Sequence, residues 1–467
     1  MVFSSSIFLF LFLPLVLAGN YILKIEYRNV FLLVASLVFY AWGEPKFVII
    51  IIVSILINYL FALLIEYSRK SLYICKISLV LSIVSNIGLL FYYKYFDFIV
   101  SSINAIGHFT IPLKNILLPI GISFFTFQGL SYVIDVYRNV VSAQKNPIKL
   151  GLFISFFPQL IAGPIVRYSD VYKQIDHRTC DIEMFTKGIR RFVIGLGKKV
   201  IIANTLGAIA DNIFNLPPYQ NSALTSWVGV ICYAFQIYFD FSGYSDMAIG
   251  LARFFGFEFM ENFNYPYISK SVTEFWRRWH ISLSTWFRDY LYIPLGGNRK
   301  GNVYFNLLIV FLATGLWHGA AWNFIVWGLW HGLFLIIERT IKNSKRFNIK
   351  IPSLIKWIYT MLVVIIGWVL FRSPDLDYAI NYLKIMFGLT QPYSIGYSVL
   401  FYLTPMTITM LAIAGISSLP VIRYMENKFK SISLQYIIQN VLTIILFLIS
   451  ILFIATSTYN PFIYFRF

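Results

Sequence analysis

The sequence predicts an all-helical integral membrane protein, and three observations lead to this fold class. Of the 467 residues, 58% are hydrophobic and only 12% are charged, whereas a soluble domain carries about 25% charged residues. Many apolar runs approach the ~20 residues that a helix needs to cross a bilayer core. The excess of 38 Lys and Arg over 20 Asp and Glu falls in short loops between these runs. Such loops face anionic lipid in the cytoplasm, so we expect contact with membrane lipid and none with nucleic acid.

Apolar segments follow one another along the chain, and we predict roughly eleven spanning helices, with re-entrant and interfacial helices, in one membrane domain (1–467). The first apolar run has no positive n-region, which favours a retained membrane segment over a signal peptide. The three scattered cysteines form no C-x-x-C pair, so we expect no metal site. The segments cover residues 5–23, 29–42, 46–65, 77–93, 115–134, 150–165, 192–210, 224–252, 303–317, 320–338, 354–371, 398–419 and 435–456.

The segment at 150–165 interrupts the alternation of basic and non-basic loops, because the loops on both of its sides are basic. It contains Pro158, Gly163 and Pro164. Proline removes a backbone donor, and a broken helix is tolerated in a membrane only where protein or a cavity satisfies the backbone. We therefore predict a re-entrant segment. A kinked spanning helix is the alternative.

Polar side chains also lie inside the apolar segment 224–252. Gln236 and Asp240 are four residues apart and share a helix face, while Asp246 points elsewhere. An intramembrane carboxylate is a functional candidate by default. It is equally explained as a buried partner for an arginine, so Asp240 is a candidate for substrate or donor binding with this structural alternative beside it.

Residues 262–300 predict a basic, aromatic amphipathic helix. Ser271 and Glu274 fit a capping box, and from Phe275 onward large apolar residues recur with helical spacing. Arg277 and Arg288 fall on the opposite side. Such a helix is typical of the membrane interface. It can also line a cavity in which the two arginines hold an anionic group such as the phosphates of a donor.

Residues 311–332, FLATGLWHGAAWNFIVWGLWHG, contain two histidines in an otherwise apolar stretch. Basic regions flank the segments 303–317 and 320–338, so we predict a hairpin with its turn at Trp317-His318-Gly319. A polar group in hydrocarbon is expensive and is kept for a reason, and histidine moves protons near neutral pH. His318 is therefore the candidate reactive residue. Were 318–331 one helix, His331 would lie about 20 Å away, so we expect it to pack, unless the helix is broken between them.

Several of these stretches together resemble the membrane-bound O-acyltransferase (MBOAT) family, most closely the bacterial branch typified by the membrane subunit of alginate O-acetyltransferase. The likeness covers nearly the whole chain and is carried by ordered blocks. These are VFYAWGEP, LPIGISFFTFQGLSYVIDVYR, FPQLIAGPIVR, FDFSGYSDMAIGLARFFGF, FWRRWHISLSTWFRDYLYIPLGGNR and LWHGAAWNFIVWGLWHG.

The resemblance implies a helical bundle with cavities from both faces in the bacterial inner membrane. It implies catalytic roles for His318 and, in the WRRWHIS block, for His280. Trp317, Trp322 and Asn323 join Arg277, Arg288 and Asp240 as candidates for donor or substrate binding. It further implies acetyl-CoA or another acyl thioester as donor substrate with no bound cofactor, an extracytoplasmic polysaccharide as acceptor, and an extracytoplasmic acetyltransferase as partner protein.

Two questions stay open from the sequence. His318 acts either as a general base, which typically contributes ~10²–10⁴-fold, or as a covalent carrier of the acyl group. A transporter or flippase, or a non-catalytic scaffold for a secreted acetyltransferase, are the alternative functions. Many transporters carry repeats, and this chain shows no half-chain repeat.

Overall fold

The computed structural model describes residues 1–344, 351–393, 396–421, 432–457 and 459–462. Within these ranges the regular structure is helical and contains no strand, which confirms the all-α prediction. The described chain divides into two compact units. One comprises residues 1–192 and 244–260, and the other comprises residues 193–243 and 261–467. The single membrane domain stays a prediction.

The helices follow one another with short connections. In chain order they are α1 (Leu13–Ile22), α2 (Ile25–Ala41), α3 (Val48–Tyr67), α4 (Leu72–Leu90), α5 (Phe96–Gly107), α6 (Ile122–Tyr137), α7 (Pro147–Ser155), α8 (Phe157–Leu160), α9 (Tyr168–Asp176), α10 (Ile182–Gly197), α11 (Asn204–Phe214), α12 (Ala223–Phe254), α13 (Val272–Arg278), α14 (Ile281–Phe287), α15 (Val303–His318), α16 (Trp322–Asn343), α17 (Ser353–Arg372), α18 (Leu376–Met386), α19 (Val399–Tyr402), α20 (Pro405–Ser417) and α21 (Ile432–Thr456). Wider π-helical turns cover Phe8–Phe12, Phe91–Tyr95, Lys198–Ala203 and Arg288–Tyr292, and 3₁₀ turns cover Pro45–Phe47, Pro218–Gln220 and Pro266–Ile268.

Several helices are long and apolar enough to cross a membrane. By length and composition the described residues contain six of them, and shorter apolar helices accompany them. The six are Pro45–Tyr67, Leu72–Gly107, Ile182–Phe214, Trp322–Asn343, Ser353–Arg372 and Gln435–Thr456, and the shorter ones are Phe8–Ile22, Val303–His318 and Pro405–Ser417. The protein is thus a multi-pass membrane protein, and the number of eleven crossings stays a prediction.

The segment 150–165 is broken where the sequence places its proline. Helix α7 ends at Ser155, and the backbone turns at Phe156 before the four-residue α8. The amide of Phe157 donates to the hydroxyl of Ser36 on α2 at 3.1 Å, so a neighbouring helix satisfies a donor next to the break. Nine residues of α7 span only about 13 Å, less than half of a bilayer core. The segment therefore contains no continuous spanning helix, and re-entry on one face stays a prediction.

Helices α15 and α16 form an antiparallel hairpin whose backbones touch. A Cβ atom on Gly315 would lie 2.3 Å from the carbonyl oxygen of Phe324, and one on Gly328 would lie 2.3 Å from that of Phe311. Membrane helices associate through van der Waals packing, and small residues allow this close approach. The two glycines therefore set the crossing that carries His318.

We expect Gly315→Ala to separate the hairpin and lower the thermal midpoint of the detergent-solubilised protein, because overpacking a close contact costs about 1–3 kcal/mol. Gly88→Ala on α4 is the matched control, since a Cβ atom at Gly88 meets no neighbouring atom. Thermal unfolding followed by intrinsic fluorescence measures both variants. Equal midpoints for Gly315→Ala and the wild type would contradict the close crossing.

Candidate active site

His318 is the last residue of α15, and its imidazole is enclosed by aromatic rings. The side chain is 4% exposed. Its ring centroid lies 4.9 Å from that of Trp317, 5.0 Å from that of Trp327 and 5.1 Å from that of Phe371. The three rings come from α15, α16 and α17, so the position of the imidazole depends on the packing of three helices.

The local sequence explains why α15 stops at His318. Gly319 takes an extended conformation, and Ala321 is also extended immediately before α16 begins at Trp322. A Cβ atom on Gly319 would lie 2.2 Å from the ring of Phe324, so only glycine leaves room for that ring. The predicted hairpin is confirmed, but its turn lies at residues 319–321 and not at Trp317-His318-Gly319, because α15 continues through His318.

His331 lies on α16 and shares a tryptophan with His318. The centroid of its ring is 5.1 Å from those of Trp327 and Trp276. Because the hairpin turn separates the two histidines, the 20 Å distance expected for one continuous helix does not apply. His331 packs against the same Trp327 indole that contacts His318, and a purely structural role for it stays a prediction.

The predicted continuous helix through residues 271–290 was wrong, because the chain leaves the helix at His280. Helix α13 ends at Arg278, and α14 begins at Ile281. Between them Trp279 is extended, and His280 is left-handed, with φ 44° and ψ 56°. The predicted N-cap of α13 is confirmed, since the Ser271 hydroxyl accepts from the Glu274 amide at 3.0 Å, but the capping box is not closed, because the Glu274 carboxylate accepts from the Lys270 amide and not from that of Ser271.

Asn262 supplies the physical reason for the break. Its backbone carbonyl accepts from the Ile281 amide at 2.9 Å, which replaces a bond that a continuous helix would make within itself. Its side-chain oxygen accepts from the Ser282 amide and hydroxyl at 3.2 and 2.9 Å, and lies 3.1 Å from Nδ1 of His280. A left-handed non-glycine residue costs roughly 1–2 kcal/mol, and such strain clusters at functional sites.

The imidazole of His280 is buried and faces aromatic neighbours. It is 1% exposed, and its ring centroid lies 4.5 Å from that of Phe241 and 6.0 Å from that of Trp317. Burial lowers the pKa of His280 well below its usual range. Its Nε2 atom has no hydrogen-bond partner among the residues that the structure describes. A neutral imidazole with one available nitrogen can serve as an acceptor or a donor.

One indole therefore connects the two candidate histidines. The ring centroid of Trp317 lies 4.9 Å from that of His318 and 6.0 Å from that of His280. The side chains come from α15 and from the break between α13 and α14. The structure thus brings His280 close to Trp317 and His318, although His280 is distant from both in the sequence.

A cavity of about 590 Å³ lies along α13 and α14. Arg277 and Arg288 line it together with hydroxyl groups, and Trp276 forms part of its wall. The arginines are exposed, and Arg288 is paired with Asp289 at 2.7 Å. Beyond the wall, the centroid of the Trp276 ring is 5.6 Å from that of Trp327, which contacts His318. The cavity and the reactive candidate are therefore separated by two indole rings.

The remaining candidates lie in other surroundings. Trp322 is 54% exposed at the start of α16. The buried Asn323 amide donates to the carbonyls of Leu370 and Ser373 at 3.3 and 2.8 Å, so it holds the end of α17. Their roles in donor or substrate binding stay predictions.

Asp240 forms a buried ion pair with Lys199, with 2.6 Å between Oδ1 and Nζ. Asp246 pairs with Arg191 at 2.7 Å. The sequence suggested an arginine as the partner of a buried carboxylate. The structure shows an arginine beside Asp246, but a lysine beside Asp240. Lys199 also donates to the carbonyl of Pro461.

Sequence reasoning missed two kinds of residue. Asn262 was missed because a single asparagine in a loop carries no periodic signal, although its position at the start of the basic aromatic block could have drawn attention to it. Trp276 and Trp327, whose indoles both contact His331, were not named as site residues. Trp327 lies four residues before His331 on α16, one helical turn away, which is the signal that could have found it. Trp276 carries no such signal, because the chain leaves the helix before His280.

Comparison with known proteins identifies the family of the chain. A model of the MBOAT, membrane-bound O-acyltransferase family, matches residues 125–373. The chain is 43% identical to the probable alginate O-acetylase AlgI of Pseudomonas putida, over 100% of both chains. It is 38% identical to the peptidoglycan O-acetyltransferase of Helicobacter pylori, over 83% of this chain and 80% of that one. It is 31% identical to the teichoic acid D-alanyltransferase of Bacillus subtilis, over 54% of this chain and 67% of that one.

The lowered pKa of His280 predicts a pH dependence of stability. The folded protein keeps this imidazole neutral, whereas the unfolded chain takes up a proton below about pH 6.5. Stability is therefore fully present above that pH and falls as the pH is lowered, by at most about 1.4 kcal/mol per pH unit. We expect the thermal midpoint to drop more between pH 7.5 and 5.0 for the wild type than for His280→Asn, in which asparagine tolerates the left-handed backbone.

His108→Asn is the matched control, since His108 is exposed and also left-handed. It should retain the pH profile of the wild type. Identical profiles for the wild type and His280→Asn would contradict a neutral, buried His280.

Proposed function

Because the chain belongs to the membrane-bound O-acyltransferase family, we propose that it moves an acetyl group from a cytoplasmic thioester donor to an extracytoplasmic polysaccharide, with His318 as the reacting histidine. The membership makes the protein a membrane O-acyltransferase. The observation that carries the proposal is the buried imidazole of His318 at the end of α15. Two indole rings separate it from a cavity lined by two arginines.

We assign His318 the role of general base. An acceptor hydroxyl loses its proton to the imidazole as its oxygen attacks the thioester carbonyl. The bond from carbon to sulfur then breaks, and the thiolate leaves with the proton that the imidazole returns. A positioned base typically contributes ~10²–10⁴-fold to the rate. In the alternative, the imidazole itself carries the acetyl group, and a labelled donor given without acceptor would then label the protein.

His280 contributes through Trp317 and through its own available nitrogen. Asn262 holds its Nδ1 side, which leaves Nε2 to contact a substrate oxygen. This division of roles follows the general pattern in which a third group orients a reactive side chain. His280 is therefore assigned to orientation of the acceptor or of the thioester carbonyl.

The cavity beside α13 and α14 suits a donor with phosphates. Guanidinium groups are permanently charged and pair with phosphate through two hydrogen bonds, and Arg277 and Arg288 both line this cavity. Its apolar wall at Trp276 would accept the pantetheine arm. Acetyl-CoA has an anionic, phosphate-bearing head and a long arm that ends in a thioester, so it matches the two parts of this cavity. The chain requires no bound cofactor to use this donor.

The relatives' names support the acceptor class. Two of them are named for O-acetylation of alginate and of peptidoglycan, which are polysaccharides outside the cytoplasm. We place the protein in the bacterial inner membrane, where a donor from the cytoplasm and an acceptor outside can both reach it. In this scheme the acceptor hydroxyl at His318 belongs to an extracytoplasmic acetyltransferase, which then passes the acetyl group to the sugar. Membership of the family does not support a transporter or flippase. The His318→Ala experiment described next distinguishes the enzyme from a non-catalytic scaffold.

We expect His318→Ala to reduce O-acetylation of the envelope polysaccharide by at least ~10²-fold, because the reaction loses its base. Acetyl release from purified polysaccharide after mild alkali, with protein level measured by immunoblot, checks this. His108→Ala, which replaces an exposed histidine in a loop, is the control and should acetylate normally. Full acetylation by His318→Ala at normal protein level would reject the enzyme in favour of the scaffold.

A further inference from the structure

A second cavity, of about 580 Å³, is lined in part by α17 and is almost entirely apolar. Helices α12, α17 and α20 and the turn at Pro266–Ile268 bound it. Exposed apolar side chains at its rim, among them Leu354 and Leu419, show that it opens outward. Neither candidate histidine lines it, so the acyl transfer described above makes no use of it.

Polar groups gather at one end of this cavity. Lys270 is its charged lining residue, and its Nζ atom lies 3.3 Å from the hydroxyl of Ser353, the first residue of α17. One turn further, the indole nitrogen of Trp357 donates to the carbonyl of Tyr267 at 2.8 Å. Tryptophan is enriched at the level of lipid headgroups. The polar end of the cavity is therefore at headgroup depth when α17 crosses the membrane.

The apolar part of the cavity follows α17 inward from this end. Lining residues on the helix run from Ser353 to Ile365, a distance of about 18 Å at 1.5 Å per residue. An extended fatty acyl chain has a similar length. The cavity thus offers a cationic and hydroxyl contact at its mouth and a dry channel behind it.

We propose that this cavity binds one anionic glycerophospholipid of the surrounding membrane. Its phosphate lies between Lys270 and Ser353, and one acyl chain fills the channel along α17. The charge at the mouth is available because the nearby Glu274 carboxylate is paired with Arg278 at 2.9 Å.

The sequence that precedes α17 favours an anionic over a zwitterionic headgroup. Residues 339–350 carry Arg339, Lys342, Lys345, Arg346 and Lys350. Basic clusters of this kind next to a spanning helix attract anionic lipid, at about 1 kcal/mol per basic residue near the surface. The proposal concerns a lipid held by the protein and does not depend on the acyl-transfer function.

Gly415 on α20 gives a clean way to close the cavity. It lines the channel, and a Cβ atom built on it meets no atom within 4 Å. Leucine at this position therefore points into open space and occupies the volume that the acyl chain needs. Gly88→Leu on α4 is the matched control, because its Cβ atom also meets nothing within 4 Å.

The test uses the full chain in detergent and native mass spectrometry with added phosphatidylglycerol or phosphatidylcholine of the same acyl chains. We expect the wild type to retain one phosphatidylglycerol in preference to phosphatidylcholine. Lys270→Gln should reduce that preference about fivefold, the value of one basic contact. Gly415→Leu should reduce retention of both lipids, while Gly88→Leu should leave it unchanged.

Three results would overturn the proposal. These are equal retention of the two lipids by the wild type, an unchanged preference in Lys270→Gln, and unchanged retention in Gly415→Leu. Size-exclusion chromatography of each variant shows that it is folded, and the two variants change different properties of the cavity, its charge and its volume. Loss of acetylation in His318→Ala has no bearing on this outcome, so the two proposals fail separately.

Discussion

The site depends on the close crossing of α15 and α16. Gly315 and Gly328 bring the two backbones into contact, and this contact places Trp327 of α16 against His318 at the end of α15. Apolar helices have no hydrophobic reason to associate within lipid, so shape complementarity at small residues has to hold them. A wider crossing would open the aromatic enclosure and expose the imidazole.

Two ion pairs, one buried and one partly buried, adjoin residues that contact the histidines. Lys199 pairs with Asp240, whose neighbour Phe241 contacts His280. Arg372 pairs with Asp211 at 2.7 Å, and its neighbour Phe371 contacts His318. Tyr459 also donates to Asp211, at 2.6 Å.

Burying two charges costs desolvation, and removing one partner of such a pair leaves an uncompensated charge. The pairs therefore add little net stability, and their main effect is to favour a single arrangement of the helices that carry them. Because each one adjoins an aromatic contact of a histidine, they fix the two imidazoles relative to the helices. This explains why charged residues are kept in such an apolar chain.

The sequence was sufficient wherever the determining residues are neighbours. The hairpin turn follows from glycine after His318, the start of α13 follows from Ser271, and the break in 150–165 follows from proline. The sequence was insufficient where a residue that is distant in the chain determines the local structure. Asn262 competes for the backbone of α14 and breaks a helix whose periodicity is otherwise continuous, and nothing near Asp240 indicates Lys199 as its partner.

The site shows the same division. His318, His280 and the two arginines could be named from their residue types, from the apolar context and from the family resemblance. Their grouping could not, because it requires three helices to pack around Trp317 and Trp327. Aromatic side chains at helical spacing are indistinguishable from an ordinary core until their neighbours are known.

The most direct test of this arrangement is a cryo-EM structure of the full chain with a thioether analogue of acetyl-CoA. We expect its phosphates to contact Arg277 and Arg288, with the arm passing Trp276 and the acetyl carbonyl within hydrogen-bond reach of the His318 imidazole. That pose requires the indole rings of Trp276 and Trp327 to move apart from the 5.6 Å separation of their centroids. An analogue bound elsewhere, with the acetyl group away from His318, would contradict the assignment of both the donor cavity and the reactive histidine.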